Sequence, residues 1–235
     1  MQLFYSPKEY WQNDQSVEIH GQEAKHITKV LRHNIGDTIF VADGNGAQFK
    51  GEIVETRKEF VRLNLTQGER VQPAKIRKVL ALGTIKKRDR LEFAIEKAVE
   101  LDASEICLFD ADHSERSRLN EDRLQTLIIS AFKQSNRAFM PSLTILGSLD
   151  EVYKNYKGYT FLMAHERTPT TERPKALQAD NNVLLVGPEG GFSQREIELQ
   201  TNCEQGAFVS LGSHRLRAET AVAAFLSHYT FSAED

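Results

Sequence analysis

An α/β fold with a mostly parallel sheet, preceded by a small N-terminal β barrel, is what this 235-residue sequence predicts. Three observations carry the prediction. Up to about residue 72 the apolar residues fall in short strand-like runs separated by turn residues, whereas from residue 73 onward strand-like runs alternate with segments of helical spacing. Two of the later runs stop at a glycine, continue through a short irregular segment and enter a helical pattern: Leu184-Leu-Val-Gly-Pro-Glu-Gly-Gly-Phe-Ser193 and Leu211-Gly-Ser-His-Arg-Leu-Arg-Ala-Glu-Thr-Ala221. Strand ends of that kind are where open α/β sheets hold their ligands.

In the first part, a helix is expected with Ile27, Val30 and Leu31 on its apolar stripe and Lys25, Lys29 and Arg32 elsewhere on its surface. Strands follow at Thr38–Val41, Ala47–Val54 and Phe60–Leu65, the first two joined through Asp43-Gly-Asn-Gly46, residue types that favour a tight hairpin. Polar Thr66 to Pro73 reads as a linker between domains 1–72 and 73–235. A strand over Ile76–Leu82 leads to a helix whose Leu91, Ala94, Ile95, Ala98 and Val99 follow the spacing of one buried face. Strand Ile106–Phe109, helix Leu124–Phe132, and strands Tyr159–Met163, Val183–Val186 and Phe208–Leu211 complete the alternation, with a helix after each of the last two. Ser193-Gln-Arg-Glu196 fits a capping box for the first of those helices.

Composition narrows the class. With 40% hydrophobic and 27% charged residues the chain is an ordinary globular one, and no apolar run approaches the roughly 20 residues that span a bilayer. Met1-Gln-Leu-Phe-Tyr-Ser-Pro7 lacks the features of a secretion signal, which places the chain in the cytoplasm. Cys107 and Cys203 have no metal-ligand spacing around them and are expected as buried free thiols; no metal site is expected. A net charge of -3 does not announce a nucleic-acid partner, yet basic residues cluster at Lys86–Arg90, Arg116–Arg118, Lys133–Arg137 and His214–Arg217, as solvated surface or as a local patch. Neither a triphosphate P-loop, nor a serine-hydrolase elbow, nor a zinc-protease helix is written anywhere in the chain.

Several segments, taken together and in order, carry a resemblance. They are Lys25-His-Ile-Thr-Lys-Val-Leu-Arg32, Gly36-Asp37, Lys87-Arg-Asp-Arg-Leu-Glu-Phe93, Glu115-Arg-Ser117, Gln134-Ser-Asn-Arg137, Gly187-Pro-Glu-Gly-Gly191 and Leu211-Gly to Leu216-Arg-Ala-Glu-Thr-Ala221. With them the chain closely resembles the bacterial 16S ribosomal RNA (uridine-N3) methyltransferase family of the SPOUT superfamily. The resemblance implies a C-terminal SPOUT domain tied in a trefoil knot, a PUA-like RNA-binding barrel, a homodimer, and S-adenosyl-L-methionine as donor for methylation of one uridine at N3 in 16S rRNA of the small ribosomal subunit. The chain departs from the family at Ser213-His214, at Asn136, and in lacking an arginine among Met1-Gln-Leu-Phe-Tyr5.

The resemblance implies cofactor contacts at Leu162 and His165, at Gly187, Pro188, Glu189, Gly190 and Gly191, and at Leu211, Gly212 and Leu216. Uridine N3 must lose a proton, and the charge spreads onto O2 and O4, so a nearby arginine would stabilise the anion. Arg217 is the candidate, with an ion pair to Glu219 as its other reading. Glu189 either accepts the proton or braces the loop through backbone amides. Lys25, Lys29, Arg32, Arg88, Arg90, Arg116, Arg118 and Arg137 are candidates for RNA phosphate. A noncatalytic RNA-binding assembly factor and an unrelated nucleotide-binding α/β enzyme are the rival readings.

Overall fold

A computed structural model describes residues 2–115, 119–172, 175, 177 and 179–231. The chain divides into two compact units, one of residues 1–73 with 129–140 and one of residues 74–128 with 141–235.

The first unit is built on strands β1 (Leu3–Tyr5), β2 (Trp11–Gln12), β3 (Ser16–His20), β4 (Thr38–Ala42), β5 (Ala47–Thr56) and β6 (Phe60–Arg70), paired in the order β1-β4-β5-β6-β3-β2. Only β1 and β4 run parallel; the remaining pairs are antiparallel. Strand alternation sends Val17, Ile19, Ile39, Val41, Val61 and Leu63 into a core that also holds Phe4, Ala24, Ile27 and Ile53. The β4–β5 hairpin forms as its sequence predicts, with Gly44 and Gly46 at φ 70° and 97° and the Asp43 carboxylate accepting the amides of Asn45 and Ala47 at 2.7 and 3.0 Å.

Two expectations fail here for local reasons. Thr66–Arg70 is not linker but the end of β6, paired with Ala47–Lys50 of β5. Gly68 serves that pairing, because a Cβ there would lie 2.4 Å from the Phe49 ring and from the Gln48 carbonyl. The predicted helix exists as α1 (Gly21–Lys25) followed by a π-helical turn, His26–Val30, in which the Leu31 amide reaches the His26 carbonyl at 3.0 Å. The extra residue in that turn rotates Val30 off the apolar stripe, so Ile27 is buried while Val30 is 68% exposed.

The second unit has six strands, β7 (Arg77–Gly83), β8 (Glu105–Phe109), β9 (Ser142–Leu146), β10 (Thr160–Ala164), β11 (Asn181–Val186) and β12 (Gly206–Val209), in the order β12-β10-β11-β7-β8-β9. Every pairing in it is parallel. Strand β9 and the helix α4 (Leu149–Asn155) add to the predicted elements, and β12 begins and ends two residues before the predicted Phe208–Leu211. Val79, Ala81, Cys107, Phe109, Val183 and Leu185 face a core with Leu149 and Val152 of α4. Their neighbours Leu80, Leu82, Ile106, Leu108 and Leu184 point the other way and are equally buried. Helices α2 (Arg88–Glu100) and α6 (Ala218–Phe231) pack together, and α6 also packs on β11, so apolar runs without polar alternation belong to a sheet covered on both sides. Among the described residues the remaining α-helices are α3 (Glu121–Ser135), whose residues from Ile129 belong to the first unit, and α5 (Gln194–Thr201) of the second. Cys107 is buried and free, whereas Cys203, also free, is only partly buried just beyond α5. Among the described residues no helix is long and apolar enough to cross a membrane, and no cluster of side chains could hold a metal ion.

Candidate active site

Because β10, β11 and β12 are adjacent and parallel, the loops leaving their carboxyl ends meet at one edge of the sheet. Between those loops lies a cavity of about 600 Å³, in the range of small-molecule sites. His165, Gly187, Pro188, Glu189, Gly190, Gly191, Leu211, Gly212 and Leu216 all line it, as does Arg217. Leu162 does not, since it sits one pleat deeper in β10 than Ala164, which does.

The second loop is rigid for reasons that can be traced residue by residue. Gly83 at the end of β7 gives Pro188 its seat, for a Cβ there would stand 2.6 Å from the proline Cδ. The Gly191 amide returns to the Pro188 carbonyl at 2.9 Å, with Gly191 at φ 70°, a conformation other residues adopt reluctantly. Helix α5 then starts on the predicted capping box: the Ser193 hydroxyl accepts the Glu196 amide at 3.1 Å and the Glu196 carboxylate accepts the Ser193 amide at 2.8 Å. Glu196 is fully buried and its other oxygen accepts the Asp112 amide at 3.1 Å.

The segment after β8 completes the clamp through Asp112 and His113, which no sequence motif marks. The Asp112 carboxylate accepts the Ser193 hydroxyl at 2.5 Å and a fork of two hydrogen bonds from Arg195, whose third nitrogen reaches Asp150 at 2.7 Å. His113 Nδ1 lies 3.2 Å from the Gly190 carbonyl, and a Cβ on Gly190 would stand 2.8 Å from that of His113. The Arg195 fork, with the Ser193 hydroxyl behind it, holds the Asp112 carboxyl at about 2. A carboxyl depressed in the folded state adds stability above its unfolded value of roughly 4 and gives it up as the pH falls toward the folded one. Asp112→Asn is therefore expected to flatten the loss of stability between about pH 4 and pH 2, which acid titration of thermal unfolding would read.

The third loop is tied to the other two by Arg215, another residue not singled out from sequence. Its Nε lies 3.2 Å from Glu166 of the first loop, and its Nη2 donates to the Glu189 carbonyl at 3.3 Å. The Glu189 side chain accepts the Lys86 amide at 3.4 Å. Burial pushes His165 below its usual value, which favours the neutral ring at physiological pH, while its amide is fixed to the Val209 carbonyl at 3.1 Å. Arg217 stands exposed immediately before α6 and has no acidic partner among the described residues. Glu219, the partner its spacing suggested, lies instead 3.6 Å from Arg90. The cavity thus combines bare backbone, apolar Leu211, Leu216 and Ile197, the His165 imidazole, and cations at Arg90, Arg167, Arg215 and Arg217.

Of the phosphate candidates in this unit, Arg90 lines the cavity and Arg88 is exposed on α2, 3.6 Å from Glu92. Arg116 and Arg118 lie outside the described residues. In the first unit Lys25, Lys29 and Arg32 are exposed, and Arg137 is partly buried.

A family model described as RNA methyltransferase domain matches residues 72–230, and a second, RNA methyltransferase PUA domain, matches residues 19–66. The chain belongs to the RNA methyltransferase family. This RNA methyltransferase is 28% identical over 237 residues to the ribosomal RNA small subunit methyltransferase E of Bacillus subtilis, covering 93% of this chain and 91% of that one. Among solved structures it is similar to a probable rRNA methyltransferase from Porphyromonas gingivalis, at 32% identity and a TM-score of 0.79, with 97% and 96% of the two chains covered. It is likewise similar to a Legionella pneumophila protein described as a methyltransferase with its bound cofactor SAM, at 26% identity and TM-score 0.79, with 98% and 97% covered.

Proposed function

We propose that the chain methylates N3 of one uridine in the 16S rRNA of the small ribosomal subunit, using S-adenosyl-L-methionine as donor. The observation that carries this reading is the cavity at the ends of three adjacent parallel strands, lined by two glycine-bearing loops and by Arg217, which has no acidic partner among the described residues. Its residues fit the donor. Gly187 and Gly190 pack so closely against Gly191 and His113 that a Cβ would not fit, which holds the loop in shape, while Gly191 and Gly212 face open space in the cavity and Leu211 and Leu216 offer apolar walls for an adenine ring. When bound, the donor supplies an electrophilic methyl group on a sulfonium.

The remaining chemistry belongs to the protein. Arg217 hydrogen-bonds the uracil carbonyl oxygens as the N3 proton passes to solvent water, stabilising the negative charge left on the ring. Glu189 acts as a brace, since its carboxylate already serves the Lys86 amide and its carbonyl serves Arg215. Glu189→Gln is accordingly expected to weaken S-adenosylmethionine affinity several-fold with kcat and its pH profile nearly unchanged, measured by calorimetry and by rates at saturating donor. A kcat that collapses and shifts with pH would make Glu189 the proton acceptor instead.

The same reading divides the chain into an RNA-holding domain over 1–72, closed as a barrel, and a knotted catalytic domain over 73–235 that pairs as a homodimer. Lys25, Lys29, Arg32, Arg88, Arg90, Arg116, Arg118 and Arg137 then supply phosphate contacts that weaken with salt. Titration calorimetry with S-adenosylmethionine and with its demethylated product tests the proposal at its base. Tight binding of both separates a methyltransferase from an RNA-binding assembly factor and from an enzyme of some other nucleotide.

A further inference from the structure

Residues 24–36 of the first unit contain three cations, Lys25, Lys29 and Arg32, and no acidic residue. The same stretch carries two of the most exposed large apolar side chains of the described chain, Val30 at 68% and Ile35 at 66%. Single exposed aliphatics are common, but here the backbone is built to expose them. The π-helical turn turns Val30 outward, and π-turns recur at functional sites. Arg32 takes φ 58°, a conformation unusual for a residue with a side chain.

Beyond it the loop is locked. The His33 amide donates to the Ile27 carbonyl at 3.0 Å, the Asn34 amide to the Asp37 carboxylate at 2.8 Å, and the Gly36 amide to the Ile53 carbonyl at 2.8 Å. Asp37, the nearest acid that follows, is occupied by Asn34 and by His33 Nδ1 at 3.2 Å. Glu23, the nearest that precedes, is paired with Lys133. Lys25, Lys29 and Arg32 are thus exposed in the same short stretch as exposed Val30 and Ile35, and neither aliphatic belongs to the core of this unit.

We infer that Val30 and Ile35 form an apolar tip that packs against an unstacked base of the RNA substrate, while Lys25, Lys29 and Arg32 hold the phosphates around it. Charge selects the occupant: three cations whose flanking carboxylates, Glu23 and Asp37, are already engaged fit a polyanion, and RNA offers apolar faces where its bases leave the helical stack. A tip of this kind distinguishes a looped or junction RNA from a uniform duplex, which phosphate contacts by themselves do not. The inference rests on the RNA methyltransferase reading and adds a determinant for the shape of its substrate.

The test compares Val30→Ser/Ile35→Ser with Lys25→Ala/Lys29→Ala, measuring binding to purified small subunits across a salt series together with S-adenosylmethionine binding. The apolar pair is expected to weaken particle binding about tenfold with the salt slope unchanged, whereas the cation pair should lower the slope by between one and two. Donor affinity should be unaltered in both, and circular dichroism and melting curves matching the parent's show that the altered first unit folds. Particle binding at the parental level in the apolar variant would overturn the inference. A photo-crosslinking p-benzoylphenylalanine in place of Ile35 should yield a nucleotide adduct; an adduct to a ribosomal protein, or none, would overturn it as well. Failure of the parent enzyme to bind the particle at all would instead strike the functional reading on which the inference rests.

Discussion

Arg217→Ala is expected to lower methyl transfer to small subunits by about 10²- to 10³-fold while leaving S-adenosylmethionine affinity within about twofold. The expectation follows from where the guanidinium is and from what it lacks. It lines the cavity, it precedes α6, and among the described residues no carboxylate neutralises it, because Glu219 lies beside Arg90 instead. An unpaired cation at the mouth of such a cavity acts on whatever negative charge develops there. Arg217→Lys restores the charge without the planar fork, so a small recovery would mean that field alone matters, and none would mean that two directed hydrogen bonds are needed. Both outcomes are read from single-turnover rates at saturating donor, alongside calorimetric donor binding.

Glu196→Ala should be the most damaging single change to the scaffold of the site. Its fully buried carboxylate serves two backbone amides, those of Ser193 and Asp112, and thereby joins the start of α5 to the segment after β8. Removing it leaves both amides without their acceptor and opens a small void, for a loss of about 2–4 kcal/mol. The melting temperature should drop by several degrees, and donor binding should weaken further than in Glu189→Gln, since the glycine loop loses its anchor. Glu196→Gln keeps one acceptor oxygen and should fall between parent and alanine. A melting temperature equal to the parent's would show that the loop owes its rigidity to the Asp112–Arg195 pair alone.

What the sequence makes legible is what local chemistry determines. The capping box at Ser193 and Glu196, the Asp43–Gly46 hairpin and the buried face of α2 each need only a few neighbouring residues, and each appears in the structure as written. Strand β9, with its broken burial pattern, and the seven-residue α4 carry too little periodicity to stand out. Thr66–Arg70 looks like a linker because its residues are polar, and it is a strand because β5 is long enough to pair with it. Val30 fits an α-helical stripe on paper, and one added residue in the turn moves it into solvent.

The site divides along the same line. Motif residues bordering the cavity are legible because glycines and a proline at strand ends have few other uses. Asp112, His113, Arg195 and Arg215 are not, because their importance lies in partners that are far away in sequence: Asp112 with Arg195, or His113 with Gly190. Leu162 lies outside the cavity lining for the simplest reason, as a strand end is named from sequence only to within a pleat, and one pleat separates the lining of a cavity from the sheet beneath it.

The most direct test of the whole account is nucleoside mapping of 16S rRNA from small subunits isolated without this enzyme and then incubated with it and labelled S-adenosylmethionine. The account predicts one labelled nucleoside, 3-methyluridine, at one position. Label on another base or another atom, or no label under conditions where the donor binds, would contradict it.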